Sequence, residues 1–216
     1  MKKFAVIFSG SGVYDGSEIH EATMLLLAIN KLKCECEIFA PNIFQHHVIN
    51  HLTGEVMPEQ RNVLIESARI ARGKIKDITT YNPKDFDALI FPGGFGVAKN
   101  LSNYAFDNDN FIVNPFIEKV ILDTFNSKKP IGAICIAPVI IAKIIKEKTS
   151  LTLGDNEKNA KTIEKLGHIN NFVSKGNINI DIENKIVTAP CYMNDSDIYT
   201  LSIETEKLVK AIIDLI

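Results

Sequence analysis

Cys135 sits where chemistry needs a nucleophile. It closes the apolar run Ile131-Gly132-Ala133-Ile134, and Ile136-Ala137-Pro138 follows at once. Proline at a first helical position is preorganised and gives up no needed N–H, so a helix can begin almost at the sulfur. A nucleophile on such a strand-to-helix elbow requires small residues two before and two after it, and Ala133 and Ala137 supply them. The positive end of the following helix favours thiolate over thiol. Lys143, Lys146 and Lys148 come later and no carboxylate occupies the first turn, so the sequence predicts a depressed thiol pKa. The same position also suits an inert core cysteine, the commoner fate of this residue in an α/β protein.

Two further features would complete such a site. Gly93-Gly94 directly follows an apolar strand, where glycine backbone can present N–H groups at close range; Gly94 and Ile136 are the expected oxyanion donors. A tight turn would ask for the same glycine pair. Glu21 shares a helical stripe with Leu25, Ala28 and Leu32, the face that packs on a sheet, and a carboxyl there needs a partner or a raised pKa. A shifted helix start would turn Glu21 to solvent instead. Glu18, three residues earlier, reads as half of a capping box with Asp15 at the N-cap. The turn Gly10-Ser11-Gly12-Val13-Tyr14-Asp15-Gly16 also resembles a dinucleotide fingerprint with Glu37 as the ribose acid, but its third glycine comes one residue late. The reading therefore calls for no cofactor and no metal.

The elements that must position these residues are legible from periodicity. Short unbroken apolar runs at Phe4 to Phe8, Asp87 to Phe91 and Pro130 to Cys135 read as strands buried on both faces of a parallel sheet, with a further strand at Cys36 to Phe39. Helical spacing falls at about Ser17–Leu32, Asn62–Ala71, Ile117–Phe125, Pro138–Lys146 and Lys158–Leu166, and from about Asp195 onward. Strand pieces are expected at Leu151–Leu153, Ile178–Ile182 and Lys185–Thr188. This alternation predicts one α/β domain over residues 1–216 with a doubly wound, mostly parallel sheet. Residues 41–61, which hold His46, His47 and His51 without a clear period, read as a surface insertion. In an open α/β sheet ligands sit beyond the carboxyl ends of the strands, so the three glycine- and cysteine-bearing ends should meet.

Composition narrows the partners. A formal net charge of −2 with 46% hydrophobic and 23% charged residues speaks against nucleic acid and against disorder. No apolar segment is long enough to span a bilayer, and Met1-Lys2-Lys3 leads straight into a strand rather than a secretory leader. Four cysteines with neither CxxC spacing nor scaffold density point to a reducing, cytoplasmic setting.

These residues resemble the ThiJ/PfpI, or glutamine-amidotransferase-like, superfamily. The strings Ser9–Ala22, Ile49–Gly73 and Phe91–Asn103 resemble most closely the bacterial enhancing-lycopene-biosynthesis proteins, called glyoxalase ElbB. The resemblance implies a flavodoxin-like, class I glutamine-amidotransferase-like sandwich. It makes Cys135 the nucleophile, Glu21 the carboxyl that hydrogen-bonds it, and Gly94 and Ile136 the oxyanion donors; Gly93, Ser11, Asn100 and His20 are the candidate substrate-pocket residues. It further implies a glutathione-independent glyoxalase that converts a small carbonyl such as methylglyoxal to a hydroxy acid, a link to isoprenoid biosynthesis, and a homodimer. A redox-sensing or regulatory role for Cys135 is the first alternative, and an amidotransferase or hydrolase the second. Position 136 is isoleucine where many members carry a histidine, and Leu153-Gly154-Asp155 offers none, which weighs against activities that need that base. His20 and the His46/His47/His51 segment are the residues left to substitute for it.

Overall fold

The computed structural model describes residues 1–108 and 110–216, with only the backbone of Lys158. In chain order the elements are β1 (Lys3–Ile7), α1 (Ile19–Lys31), β2 (Glu35–Ala40), α2 (Val63–Ile70), β3 (Ile75–Asp77), β4 (Ala88–Phe91), α3 (Phe95–Lys99), α4 (Pro115–Asn126), β5 (Ile131–Ile134), α5 (Pro138–Ile144), β6 (Ser150–Leu151), α6 (Glu157–Lys165), β7 (Ile169–Asn170), β8 (Asn179–Asp181), β9 (Ile186–Ala189) and α7 (Ile198–Leu215). The main sheet runs β3-β2-β1-β4-β5-β9-β8. All its pairings are parallel except β8 with β9. This is the doubly wound, mostly parallel α/β sheet expected from the alternation of strands and helices.

Side-chain alternation along the central strands builds two cores. Ala5, Ile7, Leu89, Phe91, Ile131 and Ala133 point into one, where α4 and α5 bring Ile117, Ile121, Val139 and Ile140. Phe4, Val6, Ala88 and Ile90 point into the other, where α1 and α7 contribute Leu25, Ile29, Leu208 and Ile212. Each such fully buried aliphatic or aromatic side chain contributes about 1.5–3 kcal/mol. α1 and α7 also pack on each other, which fixes α1 and the residues it carries. No helix is long and apolar enough to cross a membrane among the described residues.

Several local outcomes differ from the sequence reading. Helix α1 starts at Ile19, and Glu18 itself is the N-cap, its carboxylate accepting from the Glu21 N–H at 2.6 Å. Asp15 therefore does not cap α1; it accepts from Ile49 N–H at 2.7 Å and ties the 41–61 segment to the glycine turn. Within that segment Val48 and Ile49 are buried, while residues 51–56 are exposed. The stretch after Gly94, where no helix is expected from periodicity, forms the short helix α3. β6 and β7 pair as a separate two-stranded sheet.

The two edges of the main sheet are β3 and β8, three residues each. Lys76 of β3 ion-pairs with Glu37, and Asp181 of β8 accepts from Ser150 N–H at 2.8 Å and Asn184 N–H at 2.9 Å. The chain order reverses between β1, which continues into β2 on one side, and β4 on the other. A crevice opens there at the carboxyl ends of the strands.

Candidate functional site

Cys135 leaves the end of β5 with φ 58°. That left-handed backbone costs a non-glycine residue about 1–2 kcal/mol, and surrounding bonds hold it in place. The Cys135 N–H donates to Ala189 O at 2.9 Å, and Pro138 opens α5 after Ala137. The strand-to-helix elbow predicted from Ala133, Ala137 and Pro138 is present. The backbone N–H groups of Gly94 and Ile136, the two expected oxyanion donors, hydrogen-bond toward the sulfur.

Glu21 lies on the buried stripe of α1 with Leu25 and Ala28, and its side chain is fully buried. It is hydrogen-bonded to Cys135. One carboxyl oxygen accepts from Gly93 N–H at 3.1 Å and the other from Tyr192 N–H at 3.3 Å. Burial, and then the neighbouring Glu18, push its pKa up to about 8, against the pull of Cys135 and the two N–H donors. At neutral pH Glu21 is therefore mostly a neutral carboxyl group beside the sulfur.

The ionisation of the cysteine corrects the sequence expectation. Burial pushes the Cys135 thiol well up, and charge on Glu21 pushes it further; the Gly94 and Ile136 N–H groups oppose this without reversing it. The positive end of the helix does not offset the desolvation that accompanies 8% exposure. Cys135 and Glu21 therefore form a proton-sharing pair rather than a resting thiolate beside a carboxylate.

Gly93 makes this pairing sterically feasible, because a Cβ there would collide with both Cys135 and the Glu21 carboxyl. Gly94 has φ 99°, and a Cβ there would strike the backbone of Gly16 and Glu18. The glycine turn has a similar packing role. A side chain at Gly16 would meet the backbone of Gly10 and Ser11, and Glu37 is held by Lys3 at 2.7 Å and Lys76 at 2.8 Å. The dinucleotide-like pattern thus folds on itself and leaves no open phosphate cradle.

Cys135 opens on a cavity of about 390 Å³ walled by Val13, Phe95, Ala98, Ile136 and Met193, with Tyr104, Asn108 and Tyr192 also in its lining. The other expected pocket residues lie around this cavity rather than in its wall. Gly93 lies against Cys135 and Glu21. Asn100 is buried and its amide donates to Ser9 O at 2.9 Å and Asp15 O at 2.8 Å, so it locks the turn. Ser11 belongs to that turn. The His20 ring nitrogen Nδ1 is 2.7 Å from Tyr192 Oη, one step from the cavity. His46 and His47 pack on Phe106, and His51 accepts from Tyr14 N–H at 3.3 Å; no histidine is among the described residues lining the cavity.

Two residues at the end of β9 escaped sequence reasoning. Tyr192 reaches Glu21, His20 and the cavity across more than 170 residues of sequence. Cys191, fully buried with φ 47°, donates its N–H to buried Glu204 at 2.8 Å, and burial raises its thiol pKa well up. The one available signal was Cys191 following an apolar strand, which Cys135 shares.

No model of a known protein family matches the chain. The chain is 40% identical to the rat "ES1 protein homolog, mitochondrial" over 99% of its length and 84% of that protein. It is 39% identical to the human "Glutamine amidotransferase-like class 1 domain-containing protein 3, mitochondrial", over 99% and 83%. Among solved structures, an isoprenoid biosynthesis protein with amidotransferase-like domain from Ehrlichia chaffeensis superposes with TM-score 0.92 at 33% identity, covering 100% of this chain and 99% of that one. Candida albicans glyoxalase III (TM-score 0.61, 13% identity, 97% of each chain) and Drosophila melanogaster DJ-1beta (0.53, 17%, 99% and 95%) share the fold. The curated relatives are named mitochondrial, which overturns the cytoplasmic expectation. Sparse, unpaired cysteines speak only for a reducing setting and cannot select one such compartment over another.

Proposed function

Because the chain belongs to the ES1 and glutamine-amidotransferase-like class 1 family, we propose that it is a cysteine-dependent, glutathione-independent glyoxalase-like enzyme. Its substrates would be reactive 2-oxoaldehydes. The observation that carries this reading is the buried carboxyl of Glu21 on the Cys135 sulfur, with the N–H groups of Gly94 and Ile136 aimed at the same atom beside an open cavity.

The proposed cycle draws on protein groups and water alone. An aldehyde entering the cavity meets the Cys135 sulfur, whose proton passes by way of the ionised form of Glu21 to the new alkoxide as the S–C bond forms, which leaves Glu21 ionised for the next step. The Gly94 and Ile136 N–H groups stabilise the developing oxyanion. Glu21 then takes the proton from the former aldehyde carbon and returns it to the neighbouring carbonyl carbon through an enediol. The aldehyde carbon is thereby oxidised to a thioester and its neighbour reduced to an alcohol. Water hydrolyses the thioester, releasing the 2-hydroxy acid and regenerating the thiol.

The raised thiol pKa favours a substrate-triggered nucleophile over an oxidant sensor, which needs a standing thiolate. The absence of histidine among the described lining residues weighs against glutaminase chemistry. A place in isoprenoid metabolism, carried by the description of the Ehrlichia relative, and a homodimer belong to the same proposal; the apolar cavity wall supports the former. The test is incubation with methylglyoxal without glutathione, following lactate. Turnover should vanish in Cys135→Ala and fall at least a hundredfold in Glu21→Gln. Turnover that survives Cys135→Ala, or a wild-type protein without turnover, rejects the reading.

A further inference from the structure

Glu204 of α7 carries a fully buried carboxyl group that the proposed cycle does not use. Its oxygens accept from the Gly176 N–H at 2.7 Å and the Cys191 N–H at 2.8 Å, and it is hydrogen-bonded to the Cys191 thiol. The turn it holds is strained. Pro190 is right-handed, with φ −71° and ψ −33°, and Cys191 is left-handed at φ 47°. A right-handed residue followed by a left-handed one points successive N–H groups toward one side, where they can receive a carboxylate. Here two consecutive N–H groups go to two helices. That of Cys191 goes to Glu204 on α7, and that of Tyr192 goes to Glu21 on α1 at 3.3 Å. The same construction stands one strand away, because β5 and β9 are paired, each is followed by a left-handed cysteine, and each thiol is hydrogen-bonded to a glutamate borne on a helix. Only Cys135 opens on the cavity; Cys191 is sealed.

We propose that Glu204 is a positioning residue for the Cys135–Glu21 pair. By holding the Cys191 N–H it fixes the left-handed turn that delivers the Tyr192 N–H to Glu21 and sets Tyr192 and Met193 into the cavity lining. Without that anchor Cys191 relaxes toward an ordinary backbone conformation, the next peptide rotates, and Glu21 keeps the Gly93 N–H alone. This deepens the glyoxalase-like reading and rests on it only for what the pair does, since the geometry is read without turnover. The titratable groups around the turn are Glu18, Glu21 and Cys135 on its α1 and β5 sides, Cys191, Glu204 and the Tyr192 phenol, and Asp197. At its rim Lys175 donates to Asp195 O and Lys207 to Gly176 O.

Nuclear magnetic resonance of the nitrogen-15-labelled chain tests the assignment by following backbone amides against pH. In wild type the Gly93 and Tyr192 amides should titrate together near 8, a response absent from Glu21→Gln, and the Cys191 N–H should exchange slowly with solvent. In Glu204→Gln the Tyr192 response should fall at least twofold while Gly93 keeps its own, and the midpoint should move upward because the ionised form of Glu21 has lost a donor. Glu204→Asp, which keeps the carboxyl but draws it back by one methylene, should do the same. A purely structural role would lower stability and leave both responses as in wild type. Unchanged titrations in either variant, or a midpoint that falls as loss of a neighbouring negative charge would make it do, overturn the proposal. So does a wild-type Tyr192 amide indifferent to Glu21, or a rapidly exchanging Cys191 N–H, neither of which needs the Glu204 variants to fold. A protein that shows these titrations yet never converts methylglyoxal loses only the catalytic reading, and one that turns over methylglyoxal with Tyr192 indifferent to Glu204 loses only this one.

Discussion

Replacing Glu21 by glutamine should remove a pH dependence from the stability of the whole fold. In the folded protein the carboxyl titrates near 8, against 4.5 for the ordinary group. Between those values the folded state holds a proton that the unfolded chain has released. Its contribution is therefore fully present below about pH 4.5 and is lost as pH rises through about 8. Each pH unit in that window is worth about 1.4 kcal/mol, so wild type should lose roughly 2.7 kcal/mol from this group between about pH 5.5 and about pH 7.5. Glutamine does not titrate. It keeps one acceptor but turns an NH2 toward one of the two backbone donors, Gly93 or Tyr192. Glu21→Gln should therefore start less stable at about pH 5.5, by roughly 1–3 kcal/mol, and the gap should close or invert as pH rises. Urea denaturation of both proteins at the two pH values reads this directly, and the histidines, common to both, cancel in the difference. Parallel stability curves for the two proteins would show that Glu21 is an ordinary ionised carboxylate and would remove the proton-sharing pair.

Other perturbations probe the same geometry. Gly93→Ala should cost about 1–3 kcal/mol in urea denaturation and suppress Cys135 alkylation, because the new methyl group meets Cys135 and the Glu21 carboxyl; wild-type behaviour in both would refute the close approach. Cys135→Gly should be at least as stable as Cys135→Ala, since glycine relieves φ 58°, and the reverse order in thermal melts would deny the strain. At about pH 9, where Glu21 is mostly charged, Glu21→Gln should speed iodoacetamide alkylation of Cys135; a slower rate would mean the carboxyl activates the sulfur rather than restrains it. Tyr192→Phe should lower stability by about 0.5–1.5 kcal/mol through its lost bond to His20 while leaving the Glu21 pH slope intact, because the backbone N–H of residue 192 remains; a changed slope would assign the phenol a direct part in the pair.

What the sequence revealed follows from how locally each feature is determined. Phe4 to Phe8 and Ala88 to Phe91 announce themselves as strands because both faces are buried, and Cys135 announces the elbow because its small neighbours and Pro138 are adjacent in sequence. Glu21 was legible because a helical stripe registers a misplaced carboxyl against Leu25 and Ala28. Strand β3 carries one apolar residue in Ile75-Lys76-Asp77, too little for a period, and α3 is five residues long with a glycine inside. Tyr192 joins the site through contacts that no local pattern encodes. The direction of the thiol shift needed the degree of burial around Cys135, which only packing of the two layers determines.

The brevity of β3 and β8 limits how copies of this protein can meet. A long, flat, apolar outer strand invites another chain to extend the ladder, whereas three-residue strands with Lys76 on one border and hydrogen-bonded Asp181 on the other offer no such template. Extension of the sheet by a second copy is therefore disfavoured at both of these margins.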